Sequence, residues 1–208
     1  NGVRRYGAEA VLFGDNYDET EAEALRIAHD DKMTYVSPYN DAHVIAGAGT
    51  IGLEILQQVP QVGRVAVCIS GGGLISGVAT AISSLRPDVE IIGVCAQSAP
   101  TMHNIFYGGN LPENWDTLAE ALSGSVEEGS ITVPIVEETV DQIVLVSEDQ
   151  IAEAMRWMLG VQGWLVEGGG SVCVAAALAG LFPDDGKSTA LVVSGGNIDL
   201  ENIRQILA

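Results

Sequence analysis

The chain has 208 residues with 47% apolar content, enough to bury the core of one or two domains. Twenty-eight acidic residues face nine basic ones; the formal charge of -19 sets the exterior field against nucleic-acid backbones and anionic membrane surfaces, so an anionic ligand needs a local holding device. The three cysteines, Cys68, Cys95 and Cys173, stand in apolar runs with irregular spacing and no neighbouring histidine, which fits buried thiols rather than a disulfide scaffold or zinc ligands. No leader-like or membrane-spanning run is visible, so the expected setting is cytoplasmic, with no membrane and no nucleic acid as partner.

Strand-like and helix-like patterns alternate along the chain, predicting an α/β fold with a mostly parallel twisted sheet and helices on both faces. Residues 9–13 read as a short strand and 18–29 as a helix; the segment from Tyr35 to Pro38 reads as extended. A small/large pattern over 44–59 predicts a helix despite Gly47, Gly49 and Gly52, which implies close packing against another element. The clearest unit follows: an apolar strand over 64–69, a glycine turn, a helix over 74–85 and a strand over 90–94. After Pro100 the chain is irregular and is placed near the mouth of the site. Alternation resumes with a strand over 142–146, a helix over 148–159, a short strand over 164–166, a helix over 171–181 and a final strand over 189–193.

Three glycine loops follow strands. In Ser70-Gly71-Gly72-Gly73-Leu74, bare backbone lets several N–H groups converge on an oxyanion at a helix N-terminus; glycines between strand and helix can also be turn chemistry alone. No Gly-Lys-Ser/Thr follows, so the nucleotide triphosphatase loop is a poor match. Ser194-Gly195-Gly196-Asn197 follows the last strand, where Ser194 offers a hydroxyl to a ring nitrogen. Glu167-Gly168-Gly169-Gly170 opens a helix, and Glu167 can act as an electrostatic or acid/base partner or serve only as a favourable charge at the helix start. His29, His43 and His103 lack metal-ligand spacing, and Lys32 and Lys187 read as solvated surface charges.

Taken in order, Arg5-Tyr6-Gly7-Ala8-Glu9, the stretch from Ala46 to Glu54, Ser70 to Leu74, Leu165-Val166-Glu167-Gly168 and Ser194 to Asn197 resemble the pyridoxal-phosphate-dependent threonine/serine dehydratase family. The resemblance implies the tryptophan synthase β-subunit type of fold (PLP fold type II, incomplete here). Residues 1–37 would be a remnant of the smaller cofactor-clamping domain and 38–208 the larger cofactor-binding domain. It further implies pyridoxal 5'-phosphate as cofactor, with its phosphate on Ser70, Gly71, Gly72, Gly73 and Leu74. Ser194 and Gly195 would lie at the pyridine nitrogen, Glu167 near the ring or substrate as the catalytic candidate, and Ala121 in a ring-side loop where the family carries glycine.

The implied reaction is β-elimination from a small hydroxy amino acid, giving a 2-keto acid and ammonia. Threonine, serine, hydroxyaspartate and an ectoine-pathway intermediate all stay open as substrates. The alternatives are an amino acid racemase, a β-replacement enzyme or a non-catalytic phosphate-ligand binding module. No motif like that around the family's Schiff-base lysine occurs, which leads to the expectation that this chain alone is inactive and that its partner is a missing N-terminal segment of the same enzyme. A homo-oligomer is also expected. Cys95 and Thr101 stand where some family members carry carboxylate ligands, so no metal is expected.

Overall fold

The computed structural model describes residues 2–114 and 116–207, and the chain divides into two compact units, Asn1–Val36 and Ser37–Ala208. The first holds a 3-10 turn, Val3–Tyr6, and helix α1, Tyr17–Asp30. Asn16 caps α1 by accepting from Glu19 N at 2.9 Å, and Asp18 and Glu19 add negative charge where the first-turn amides lack partners. The hydroxyls of Tyr17 and Tyr35 both donate to Glu21 Oε1, at 2.9 and 2.8 Å. The strand expected over residues 9–13 is not formed. Among the described residues no strand of this unit pairs with it, and a lone β-prone run cannot satisfy its backbone groups in a ladder. Val11, Leu12 and Phe13 stay exposed.

The second unit is the α/β body. It runs through α2 (Ala42–Gln58), β1 (Arg64–Cys68), α3 (Gly73–Leu85), β2 (Glu90–Ala96), α4 (Thr101–Tyr107), α5 (Thr132–Thr139) and β3 (Gln142–Val146). There follow α6 (Glu148–Trp157), a π turn (Met158–Gln162), α7 (Gly168–Leu178), β4 (Thr189–Leu191) and α8 (Leu200–Leu207). The four strands form one sheet in the order β3-β2-β1-β4, and every neighbouring pair is parallel. The stretch 164–166, expected as a strand, is irregular, and Trp164 and Leu165 are exposed. Among the described residues no helix is long and apolar enough to cross a membrane.

Alternation along the strands builds two cores. Ala66, Cys68, Val94 and Val146 face one side with α6 and α7, whereas Val65, Val67, Ile91 and Ile143 face the other with α3 and α5. Both faces are covered, so the strands read as continuous apolar runs; each fully buried valine or isoleucine contributes about 1.5 to 3 kcal/mol relative to exposure. α7 is buried nearly all round, and its small residues Cys173, Ala175 and Ala176 let it lie against the sheet. The glycines of α2 also mark a close approach: a Cβ at Gly52 would stand 2.8 Å from Val78 O, and one at Gly77 of α3 would stand 2.2 Å from Ile45 O. Gly47 meets nothing within 4 Å and takes no part.

The amino ends of the strands carry an ion cluster. Arg64, 1% exposed, holds Glu90 at 2.9 Å and Asp185 at 2.8 Å and donates to Pro183 O at 3.1 Å. Lys187 joins it, 3.0 Å from Glu90 and 3.6 Å from Asp185. Lys187 is exposed, as expected of a surface charge, and its ion pairs bind the turn before β4 to the start of β2. Lys32 is exposed in the first unit, at φ 56°.

Candidate functional site

The chain leaves β1 toward β2 and β3 and reaches β4, on β1's other side, last. Parallel sheets open a crevice where the connections diverge in this way, at the carboxyl ends of the strands. Here that point lies between β1 and β4, and the loops issuing from it are Ser70 to Gly72 and Val192 to Asn197.

The first loop enters α3. Gly72 is the N-cap at φ 89°, a left-handed conformation that a side chain would strain. Its neighbours are glycines for a different reason. A Cβ on Gly71 would stand 2.5 Å from Tyr39 Cγ, and one on Gly73 would stand 2.6 Å from Tyr39 Cα. Tyr39 is buried and braced by Glu127 N, which donates to its hydroxyl at 3.0 Å; Thr132 Oγ1 donates to Gly71 O at 2.6 Å on the loop's other side. The backbone is thus pinned from both sides while its amides stay open. Among the described residues, the N–H groups of Ser70, Gly71, Gly72, Gly73 and Leu74 donate to no acceptor in the chain. Open amides at the start of a 13-residue helix suit an anion of phosphate size.

Ser194 lies beyond β4, with its Oγ 3.5 Å from the Sγ of Cys68, the last residue of β1. Burial pushes the Cys68 thiol up from its ordinary pKa; the Ser194 contact pulls it back and the charge of Glu167 adds to the rise, so Cys68 is a neutral thiol at the crevice. Gly195 stands at φ 83°, and a Cβ there would lie 2.3 Å from Glu167 Oε1. Asn197 N donates to Glu167 Oε2 at 2.8 Å, so the Glu167 carboxylate clasps the loop that carries Ser194. Gly170 completes the fit: a Cβ there would stand 1.7 Å from Ser194 O.

Two segments line a cleft of about 520 Å³: Glu167, Gly169, Gly195 and Asn197 form one wall, and Leu118, Glu120 and Ala121 form a second that adjoins it at Gly169. The second wall includes a 3-10 turn, Glu120–Leu122, and is seated on α7: a Cβ on Gly168 would stand 1.9 Å from Leu118 O. Ala121, singled out in the sequence, is exposed on this wall. Sequence reasoning missed Cys68, Tyr39, Thr132 and Glu148. Glu148, in the first turn of α6, accepts from Ser98 Oγ at 2.5 Å, Thr117 Oγ1 at 2.6 Å and Leu118 N at 2.7 Å. Its only local signal was the helix start Ser147-Glu148-Asp149-Gln150, which reads as a cap and is one.

A parallel α/β sheet with an open-amide loop and a hydroxyl at its switch point defines a class of phosphate-bearing cofactor proteins. The profile of the family described as "pyridoxal-phosphate dependent enzyme" matches residues 1–195, and the chain belongs to that family. It is 42% identical over 207 residues to an L-threonine ammonia-lyase of Thermotoga maritima, covering 99% of this chain and 51% of that protein. It is 40% identical over 205 residues to the catabolic L-threonine dehydratase TdcB of Escherichia coli K12, covering 97% of this chain and 62% of that one. Among solved structures, maize serine racemase superposes with a TM-score of 0.87 at 30% identity, over 99% of this chain and 65% of its own. The chain therefore spans about half the length of the first relative and somewhat more of the other two. These matches also correct the expectation of a missing N-terminal partner segment bearing the Schiff-base lysine. The curated relatives align with 97 to 99% of the chain while the chain covers 51 to 62% of them, and these shares do not place the uncovered part at the amino end.

Proposed function

We propose that this chain is cofactor-binding body of a pyridoxal-phosphate-dependent ammonia-lyase that converts a small hydroxy amino acid, threonine or serine, to a 2-keto acid and ammonia. The observation that carries it is the pairing at the switch point of the open amides from Ser70 to Leu74 with the Ser194 hydroxyl, held 3.5 Å from Cys68. Likeness to the threonine ammonia-lyase and dehydratase supports the substrate class. Pyridoxal phosphate, when bound, supplies the electron sink that lets a proton leave the substrate's α-carbon.

In this reading Ser70, Gly71, Gly72, Gly73 and Leu74 bind the phosphate through backbone N–H groups, which suits a chain whose net charge of -19 opposes anions elsewhere. Ser194 shares a hydrogen bond with the ring nitrogen; a hydroxyl, unlike a carboxylate, leaves that nitrogen without a counter-charge. In this reading Glu167 holds the Ser194 loop, since its Oε2 accepts from Asn197 N at 2.8 Å. Ala121 and Leu118 shape the second wall of the cleft. The first unit, Asn1–Val36, is assigned to the smaller cofactor-clamping domain, and the three unpaired thiols support a reducing, cytoplasmic setting.

The test is to titrate the full-length protein with pyridoxal 5'-phosphate and to assay 2-keto acid release from threonine and from serine. Cofactor binding that Ser194→Ala alters spectroscopically, together with keto acid release, is the expected outcome; a protein that binds no pyridoxal phosphate under saturating conditions rules the assignment out. A racemase reading draws on the likeness to maize serine racemase. Chiral analysis of serine after incubation separates the two, because a racemase inverts the substrate without releasing ammonia.

A further inference from the structure

We propose that Glu148 is a positioning residue for the cleft, fixing the height of the wall that carries Leu118 and Ala121; this rests on the reading of the cleft as the cofactor and substrate site. A carboxylate in the first turn of a helix is stabilised there without side-chain partners. Glu148 nevertheless has both oxygens engaged elsewhere. Oε1 accepts from Ser98 Oγ at 2.5 Å, in the loop after β2, and from Thr117 Oγ1 at 2.6 Å. Oε2 accepts from Leu118 N at 2.7 Å, and Thr117 Oγ1 accepts in turn from Ala119 N at 3.1 Å. One side chain therefore ties together the loop after β2, the cleft wall and the start of α6.

What the wall does follows from its other face. Leu118 and Ala121 line the cleft together with Glu167 and Gly195. The Leu118 carbonyl is seated on Gly168, where a Cβ would come within 1.9 Å, so the wall rests on the first residue of α7 and is pulled from behind by Glu148. Glu167 holds the loop that carries Gly195 through Asn197 N at 2.8 Å. Two carboxylates, each accepting from a backbone amide, thus hold the two segments that line the cleft. Charge-assisted bonds of this length carry strong directional preference, so loss of one should move the wall rather than merely loosen it.

Glu148→Gln isolates the point, because a carboxamide offers one acceptor oxygen and turns an N–H2 toward a donor that needs an acceptor. In the full-length protein this variant should lower pyridoxal 5'-phosphate or substrate affinity about tenfold or more. It should also shift the bound-cofactor absorbance while leaving the circular dichroism of the fold in place. Glu148→Asp should recover part of the affinity. Ser98→Ala, which removes the donor farthest from the wall, should leave affinity and absorbance near wild type. Should Glu148→Gln not fold, Thr117→Val reads the same linkage at nearly constant volume and should weaken binding several-fold. Wild-type affinity and absorbance in Glu148→Gln, or in Thr117→Val where that variant stands in, overturns the proposal, as does an equal loss in Ser98→Ala. A wild-type protein that binds no pyridoxal phosphate overturns the functional reading and this proposal together, whereas wild-type binding that survives Glu148→Gln unchanged overturns this proposal alone.

Discussion

The two ends of the sheet use carboxylates in opposite ways. At the amino ends, Glu90 and Asp185 meet the cations Arg64 and Lys187. At the carboxyl ends, Glu148 and Glu167 accept from backbone amides and hydroxyls, and among the described residues no cation pairs with either. An ion cluster tolerates small displacements, because charge attraction falls off slowly with distance. A hydrogen bond to an amide does not, since it weakens steeply with angle. The first arrangement closes the sheet; the second sets loop positions.

That contrast breaks first at the glycines of the carboxyl end. Gly168→Ala and Gly170→Ala would drive a methyl group to within 1.9 Å of Leu118 O and 1.7 Å of Ser194 O, both backbone atoms that no rotamer change can move aside. Each should cost about 3 kcal/mol or more of stability in urea unfolding. A loss under about 1 kcal/mol would mean the two loops can retreat freely. Arg64→Met comes next, since it leaves Glu90 and Asp185 without the buried guanidinium. Their own partial exposure softens the penalty to about 2 kcal/mol, read from the same unfolding curves.

The amino end should also be the acid-sensitive one. Burial by itself raises the Glu90 pKa, but hydrogen bonds from Lys187 and Arg64 outweigh it and hold the carboxyl below its ordinary value. A depressed folded-state pKa gives stability that is fully present above the unfolded value, about 4.3, and lost as pH falls through the folded one. The urea midpoint should therefore drop below about pH 4, and Lys187→Met should flatten that drop by removing one of the two groups that depress Glu90. Identical pH profiles for wild type and Lys187→Met would remove Lys187 from the account.

The sheet was legible because its strands are buried on both faces, and continuous runs such as Val65-Ala66-Val67 leave little else to be. Residues 9–13 and 164–166 are also largely apolar, but among the described residues no strand pairs with them, and intrinsic preference could not supply one. The glycine loops were legible as glycine loops, but their causes were not. Gly71 and Gly73 read as room for a ligand, yet Tyr39 occupies the space a side chain would need. Glu148 and Cys68 carried no site signal at all: one looks like a helix-start charge and the other like a core thiol, and their partners come from distant segments. Lys187 was legible as an exposed charge, but its partner Glu90 was not, since it lies on another strand.

The smallest expected effect sharpens the comparison most, because it concerns a neutral contact at the carboxyl end. Cys68 Sγ and Ser194 Oγ share one hydrogen bond at 3.5 Å, long and weak for any donor other than sulfur. Burial holds the thiol protonated, as it does for Cys95, pushed up to about 12, and for Cys173. In the folded protein all three should therefore resist a thiol-specific reagent until denaturant is added. Because the thiol keeps its proton, it can donate to Ser194 and leave the serine's own O–H free for a ring nitrogen. Cys68→Ala should cost only about 1 kcal/mol of stability, within reach of the lost contact and the small cavity. It should nevertheless change the bound-cofactor spectrum in the same direction as Ser194→Ala, and Cys68→Ser, which restores a donor, should return it toward wild type. If Cys68→Ala leaves that spectrum untouched while Ser194→Ala alters it, the thiol is a packing residue and Ser194 is oriented by the clasped loop alone.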